Sequence, residues 1–152
     1  MANEDFAVDT ELLVLYVTGC ASTDYIRMNK RLQGYTRADF DTLWLLLGQA
    51  RRVIVTSSVL AETSNFVRNI SEPAKLHVMT AFRELIGGAE ERHVPAPQAA
   101  ARPAFIRLGF TDAVLLEIAE ATLLTADGPL CAEAQRLGRK AMNFNHIREA
   151  NQ

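Results

Sequence analysis

The sequence is short of cysteine, has no long apolar run and carries no clustered histidines. Its two cysteines, Cys20 and Cys131, cannot build a disulfide scaffold. No CxxC or zinc spacing surrounds them, so they read as inert thiols. The longest apolar candidates, Leu12 to Val17 and Leu43 to Leu47, fall far short of the ~20 residues of a membrane span. Met1 to Phe6 is polar and acidic and lacks a signal-peptide pattern, so a cytoplasmic location is expected. His77, His93 and His146 are scattered, which speaks against catalysis by paired histidines. Neither GxGxxG nor GxxxxGK[ST] occurs, which leaves nucleotide-binding loops unsupported. Lysine is scarce, with 3 against 13 arginines. Composition bias is the plain explanation, although arginine also suits bidentate phosphate contacts.

What is present describes one globular domain over residues 1–152. The apolar share, 49%, is too high for a disordered chain, and a core can form without metal or disulfide. The net charge of −2 argues against a strongly cationic nucleic-acid coat but leaves room for a local basic groove.

Apolar periodicity and turn residues predict alternating elements. Strands are expected at Phe6–Val8, Arg52–Val55, Arg92–Val94, Thr122–Thr125 and Lys140–Phe144. Helices are expected at Thr10–Gly19, Thr36–Gln49, from Ser57 or Ser58 to Asn69, Glu72–Ile86, Thr111–Glu120 and Pro129–Leu137. Gly87-Gly88 reads as a helix stop, and Val94 to Pro103 as a loop with a short helical piece. This order implies an α/β chain with a central parallel sheet covered on both faces. In such sheets ligands sit beyond the carboxyl ends of the strands.

Four acids fall at that edge. Asp9 ends the first strand, Asp127 follows Thr122–Thr125, Glu62 lies in the first turns after the second strand, and Asp112 opens a later helix. Glu62 is three residues after Val59 and four before Phe66, so it shares an apolar face. Asp112 leads the stripe Leu115, Leu116 and Ala119, whereas Glu117 and Glu120 lie off it and read as solvated. The plain alternatives are that Asp9 and Asp127 cap helices, that Asp112 is a favourable first-turn charge, and that Glu62 pairs with Arg51 or Arg68. Four converging acids would repel unless a hard cation joined them, and oxygen donors suit Mg²⁺ or Mn²⁺.

These segments resemble the PIN-domain family of metal-dependent ribonucleases. The likeness lies in Phe6-Ala7-Val8-Asp9-Thr10, Val59-Leu60-Ala61-Glu62, Gly109-Phe110-Thr111-Asp112-Ala113, Leu123-Leu124-Thr125-Ala126-Asp127 and Leu137 to Phe144, and so spans nearly the whole chain. It departs at Ala126, where that family often has a polar residue. The resemblance implies a three-layer α/β/α sandwich in which Asp9, Glu62, Asp112 and Asp127 hold one or two ions, Mg²⁺ or Mn²⁺. It implies a supporting role for Thr125 and hydrolysis of RNA phosphodiester bonds. Many bacterial members are toxins held by a small antitoxin protein and many dimerise, so RNA, an antitoxin and a second copy are the expected partners.

Other readings stay open. A PIN-like module that binds RNA or protein without cutting is the first; a phosphotransfer domain is a distant one, since no acidic pair ends the first strand. The helix of Leu43, Trp44 and Leu47 reads as core packing, with a dimer face or antitoxin groove as its alternative. Arg51-Arg52, Arg27, Arg31, Arg68 and Arg107 are candidates for phosphate contact.

Overall fold

The computed structural model describes residues 4–151. Five parallel strands form one sheet: β1 (Asp5–Val8), β2 (Arg52–Thr56), β3 (Glu90–Arg92), β4 (Thr122–Thr125) and β5 (Ala141–Asn143). Their spatial order is β3-β2-β1-β4-β5, so the direction of winding reverses at β1. Every residue of β1 and β4 is buried, as expected of central strands covered on both faces. In β2 the β-branched run Val53, Ile54, Val55 and Thr56 suits the pleat and is progressively buried toward its carboxyl end.

Helices make up the outer layers: α1 (Thr10–Ala21), α2 (Asp24–Met28), α3 (Arg37–Gly48), α4 (Ser57–Val67), α5 (Ala74–Gly88), α6 (Ala96–Ala100), α7 (Ala104–Leu108), α8 (Phe110–Leu116), α9 (Gly128–Arg136) and α10 (Phe144–Ala150). Right-handed crossovers require α1 to α5 on one face and α6 to α9 on the other. The packing agrees: α1 lies against α3, α4 and α5, while α8 lies against α6 and α7. The architecture is a three-layer α/β/α sandwich. No helix among the described residues is long and apolar enough to cross a membrane.

Helix α1 is apolar on nearly every side, and Leu12, Leu13, Val14, Leu15 and Val17 are all fully buried. A helix of this kind belongs inside the fold rather than on it. Asp9 caps its start, and the Thr10 amide donates to Asp9 Oδ1 at 2.7 Å. Helix α3 starts with a reciprocal capping box between Thr36 and Asp39. Asp39 also accepts from Arg148 at 2.7 Å, which ties α10 to α3.

Several boundaries differ from the sequence reading. The cap of α4 is Thr56, whose hydroxyl accepts the Val59 amide, and not Ser57 or Ser58. Helix α5 includes Gly87-Gly88, because a glycine pair lowers helix propensity without blocking the backbone hydrogen bonds. Strand β3 lies at Glu90–Arg92, earlier than Arg92–Val94, and α8 ends at Leu116. The helices α2, α7 and α10 are too short to show apolar periodicity in the sequence. Trp44 is not core: Leu43 and Leu47 are buried, but Trp44 is 52% exposed and Leu45 55%. The helix presents one apolar stripe to α1, and Trp44 falls beside it.

Gly19 on α1 lies against the Phe40 ring of α3. A Cβ there would lie 2.2 Å from Cδ1 of Phe40, whose ring is itself buried. Gly19→Ala should therefore lower stability by roughly 1–3 kcal/mol through overpacking, against a helix-propensity gain of at most about 1 kcal/mol. Urea unfolding checks this; a more stable variant would contradict the packing.

Candidate functional site

The reversal at β1 opens the edge where the acids meet. In the β1–β4 ladder Val8 lies opposite Leu124, and the Asp9 amide continues the ladder to the Leu124 carbonyl at 3.1 Å. The next residues, Asp9 and Thr125, therefore stand side by side. The buried Thr125 hydroxyl donates to Asp9 Oδ2 at 2.7 Å and accepts the Asp127 amide at 3.0 Å. One hydroxyl thus joins the acids after β1 and β4.

Glu62 reaches the same edge from α4, held by two more threonines. Thr10 Oγ1 donates to Glu62 Oε1 at 2.9 Å, and Thr111 Oγ1 donates to Oε2 at 2.6 Å. Thr111 sits in the first turn of α8, one residue before Asp112, so this bond draws α8 against α4 across the sheet edge. Asp112 is half-buried and accepts no hydrogen bond among the described residues. Asp127 is exposed and caps α9, where its Oδ1 accepts the Leu130 amide at 3.0 Å.

All four acids identified in the sequence converge, and their charges act on one another. Burial pushes the Asp9 carboxyl above its ordinary value against the pull of the Thr125 hydroxyl and the Thr10 amide, and the charges of Asp127 and Glu62 add to the rise. Burial, followed by the charges of Asp9, Asp127 and Glu62, pushes Asp112 from 3.8 up to about 7. The helix-cap reading of Asp9 and Asp127 is also correct; capping and clustering coexist. A pairing of Glu62 with Arg51 or Arg68 is not seen. Arg51 instead grips Asp5 through two bonds of 2.9 and 2.8 Å at the opposite edge, where the strands begin. That position also separates Arg51-Arg52 from the acids.

Other buried acids have arginine partners. Asp5 has Arg51 and Arg52, Asp39 has Arg148, and Glu133 has Arg136 and Arg107. Asp9, Glu62, Asp112 and Asp127 have none among the described residues. Their chemistry, uncompensated carboxylate oxygens at a partly dry edge, fits a hard divalent cation. Among the described residues, however, no three His, Cys, Asp or Glu side chains form a group that would hold a metal ion as they stand. Asp9 and Glu62 spend their oxygens on threonine hydroxyls and a backbone amide, with which a cation would compete.

The sequence alone does not mark Thr10 and Thr111, although each is adjacent to a candidate acid. Thr125 stands where a supporting residue is expected, bonded to Asp9. Glu117 departs from the expectation of a solvated side chain. It is half-buried and paired with Arg102, because α8 ends early and turns it toward α6 and α7.

No protein-family model matches the chain, and no curated protein does. Among solved structures, a domain of a functionally unknown protein from Methanocaldococcus jannaschii DSM 2661 is similar over 91% of this chain and 89% of that one, with 17% identity and a TM-score of 0.48.

The raised carboxyl of Asp112 makes metal-free stability depend on pH. Its folded value lies above its unfolded one, so the folded state holds the proton more tightly. That contribution is full below about pH 4 and is lost as pH rises through about 7. Asp9 shifts in the same direction and reinforces the trend. In EDTA, the melting temperature should fall between pH 5 and 8, and Asp112→Asn should flatten the fall. Parallel pH profiles for the two proteins would show that Asp112 carries no such strain.

Proposed function

We propose that the chain is a divalent-metal-dependent endoribonuclease of the PIN-like type, with the acidic edge as its active site. The observation that carries this reading is the convergence of four acids, from the buried Asp9 to the exposed Asp127, without a basic partner in a molecule whose buried acids elsewhere are paired. Asp9, Glu62, Asp112 and Asp127 would hold Mg²⁺ or Mn²⁺. The ion would supply a bound water of lowered pKa and neutralise charge on the phosphodiester oxygens. The chain's own part is to hold and orient. Thr125 fixes Asp9 against Asp127, and Thr10 and Thr111 fix Glu62 between α1 and α8. One carboxylate would accept the proton of the attacking water. The exposed Trp44 and Leu45 offer an apolar face for a protein partner, an antitoxin or a second copy, in keeping with the toxin-like members of that family.

A second reading is a non-catalytic RNA- or protein-binding module. The observation favouring it is that the threonines already satisfy Asp9 and Glu62 and no ready metal-holding group stands among the described residues.

Activity separates the two. RNA cleavage should require Mg²⁺ or Mn²⁺, stop with EDTA, and fall by orders of magnitude in Asp9→Asn, Glu62→Gln and Asp112→Asn. Glu120→Gln should cost little, since Glu120 is exposed and paired with Arg92 away from the cluster. Cleavage by purified Asp9→Asn in EDTA at the parental rate would sink the metal-nuclease reading.

Melting discriminates without a known RNA. A metal that binds only the folded state stabilises it by about 2.7 kcal/mol at a hundredfold excess over Kd. That should raise the melting temperature on the order of 5 °C in a domain of this size. Most of the rise should vanish in Asp9→Asn, whose metal-free melting temperature should equal or exceed the parent's. No shift at millimolar Mn²⁺ in the parent would favour the binding module.

A further inference from the structure

Asp127 stands at the end of the turn Thr125-Ala126-Asp127, and its carboxylate has one partner, the Leu130 amide on Oδ1. Its Oδ2 accepts no hydrogen bond among the described residues. The peptide group between Ala126 and Asp127 is held at both ends. Its N–H donates to Thr125 Oγ1 at 3.0 Å, and its C=O accepts from Asn145 Nδ2 at 3.0 Å. Ala126 has no polar side chain that could do this from within the turn. A peptide group is planar, so bonds to its two opposite ends fix the orientation of the whole plane. That plane sets where the Asp127 side chain leaves the backbone.

Asn145 belongs to α10, and the strand register explains how it arrives. Thr125 lies opposite Asn143 in the β4–β5 ladder. Past that rung the chain turns into α10, where Asn143 Oδ1 accepts the Asn145 amide at 2.9 Å and the fully buried Phe144 anchors the turn. The strand has ended, and the Asn145 side chain supplies Ala126 with a donor in its place. Its amide can face only one way. Oδ1 lies 3.4 Å from the Arg148 guanidinium, which only donates, and this leaves Nδ2 for the carbonyl. Arg148 is in turn held by the buried Asp39 at 2.7 Å. A line of bonds thus runs from Asp39 on α3 to the peptide that carries Asp127. We propose that Asn145 is a positioning residue of the acidic edge, which fixes the direction of the Asp127 carboxylate. Its bearing on a cation rests on the ribonuclease reading; the claim about direction stands without it.

The test uses the full chain with Asn145→Leu, which keeps the branched shape but cannot donate, and with Asn145→Ala. In EDTA, NMR couplings from the Asp127 carboxyl carbon to its backbone nitrogen and carbonyl carbon report the side-chain rotamer. The parent should show one rotamer and both variants an average over several, with faster exchange of the Asp127 amide. Mn²⁺ affinity, read from the EPR signal of the free ion, should fall about tenfold in Asn145→Leu, as when the support of a metal ligand is removed. In an Asp127→Asn background the same replacement should cost nothing further, because its effect passes through the lost carboxylate. His146→Ala, an exposed neighbour on α10, should change none of these readings. A single Asp127 rotamer retained in both Asn145 variants would overturn the positioning role. Loss of the folded state in both would overturn it too, and would make Asn145 a purely structural residue. Additive losses in the double variant, or parental Mn²⁺ affinity in both Asn145 variants, would overturn the link to the cation. If the parent binds no Mn²⁺, the ribonuclease reading fails and the couplings in EDTA decide the positioning role alone.

Discussion

The ladder between β1 and β4 is the contact on which the acidic edge depends. Val8 opposite Leu124 sets Asp9 beside Thr125, and the buried hydroxyl then binds a carboxylate on one strand and the amide after the other. A slip of one residue would turn Thr125 to the other face of the sheet and leave Asp9 buried without a donor for Oδ2. The register is secured by burial, because both strands are covered on both faces and Leu123 and Leu124 pack into the core. Packing far from the charges therefore holds the charges together.

The molecule treats its buried acids in two ways. Asp5, Asp39 and Glu133 meet arginines, and Arg51 holds Asp5 down to about 2. These pairs sit where elements are joined: the starts of β1 and β2, α3 to α10, and α7 to α9. At the acidic edge the donors are instead neutral threonine hydroxyls and helix N-termini. Such donors orient a carboxylate without cancelling its charge, so the negative potential survives, and it adds to the burial that raises Asp112. An edge of this kind keeps an unmet demand for positive charge that an arginine would have removed.

Helix α1 connects the edge to the rest of the fold. Its first turn carries Thr10, which donates to Glu62, and its remaining length is enclosed by the sheet and by α3, α4 and α5. Near its far end Gly19 leaves room for the Phe40 ring of α3. The acids are thus mounted around the most buried helix and the most buried strands.

The order of the five strands and of the longer helices, the parallel sheet and the four acids at its carboxyl edge are legible in the sequence. Each depends on local signals: β-branched runs, apolar periodicity and an acid directly after a strand. Glu62 stands out because it shares a helix face with Val59 and Phe66, a matter of spacing alone. The threonine bonds are not legible, since Thr10 and Glu62 are 52 residues apart and their meeting depends on how α1 and α4 pack. The exposure of Trp44 and the burial of Glu117 escape the sequence for the same reason: periodicity shows which residues share a face, and only packing decides which face is covered. The hold of Asn145 on the peptide before Asp127 belongs wholly to tertiary structure. Asn145 and Ala126 are 19 residues apart, and they meet only because β4 and β5 pair in register and α10 turns back beside them.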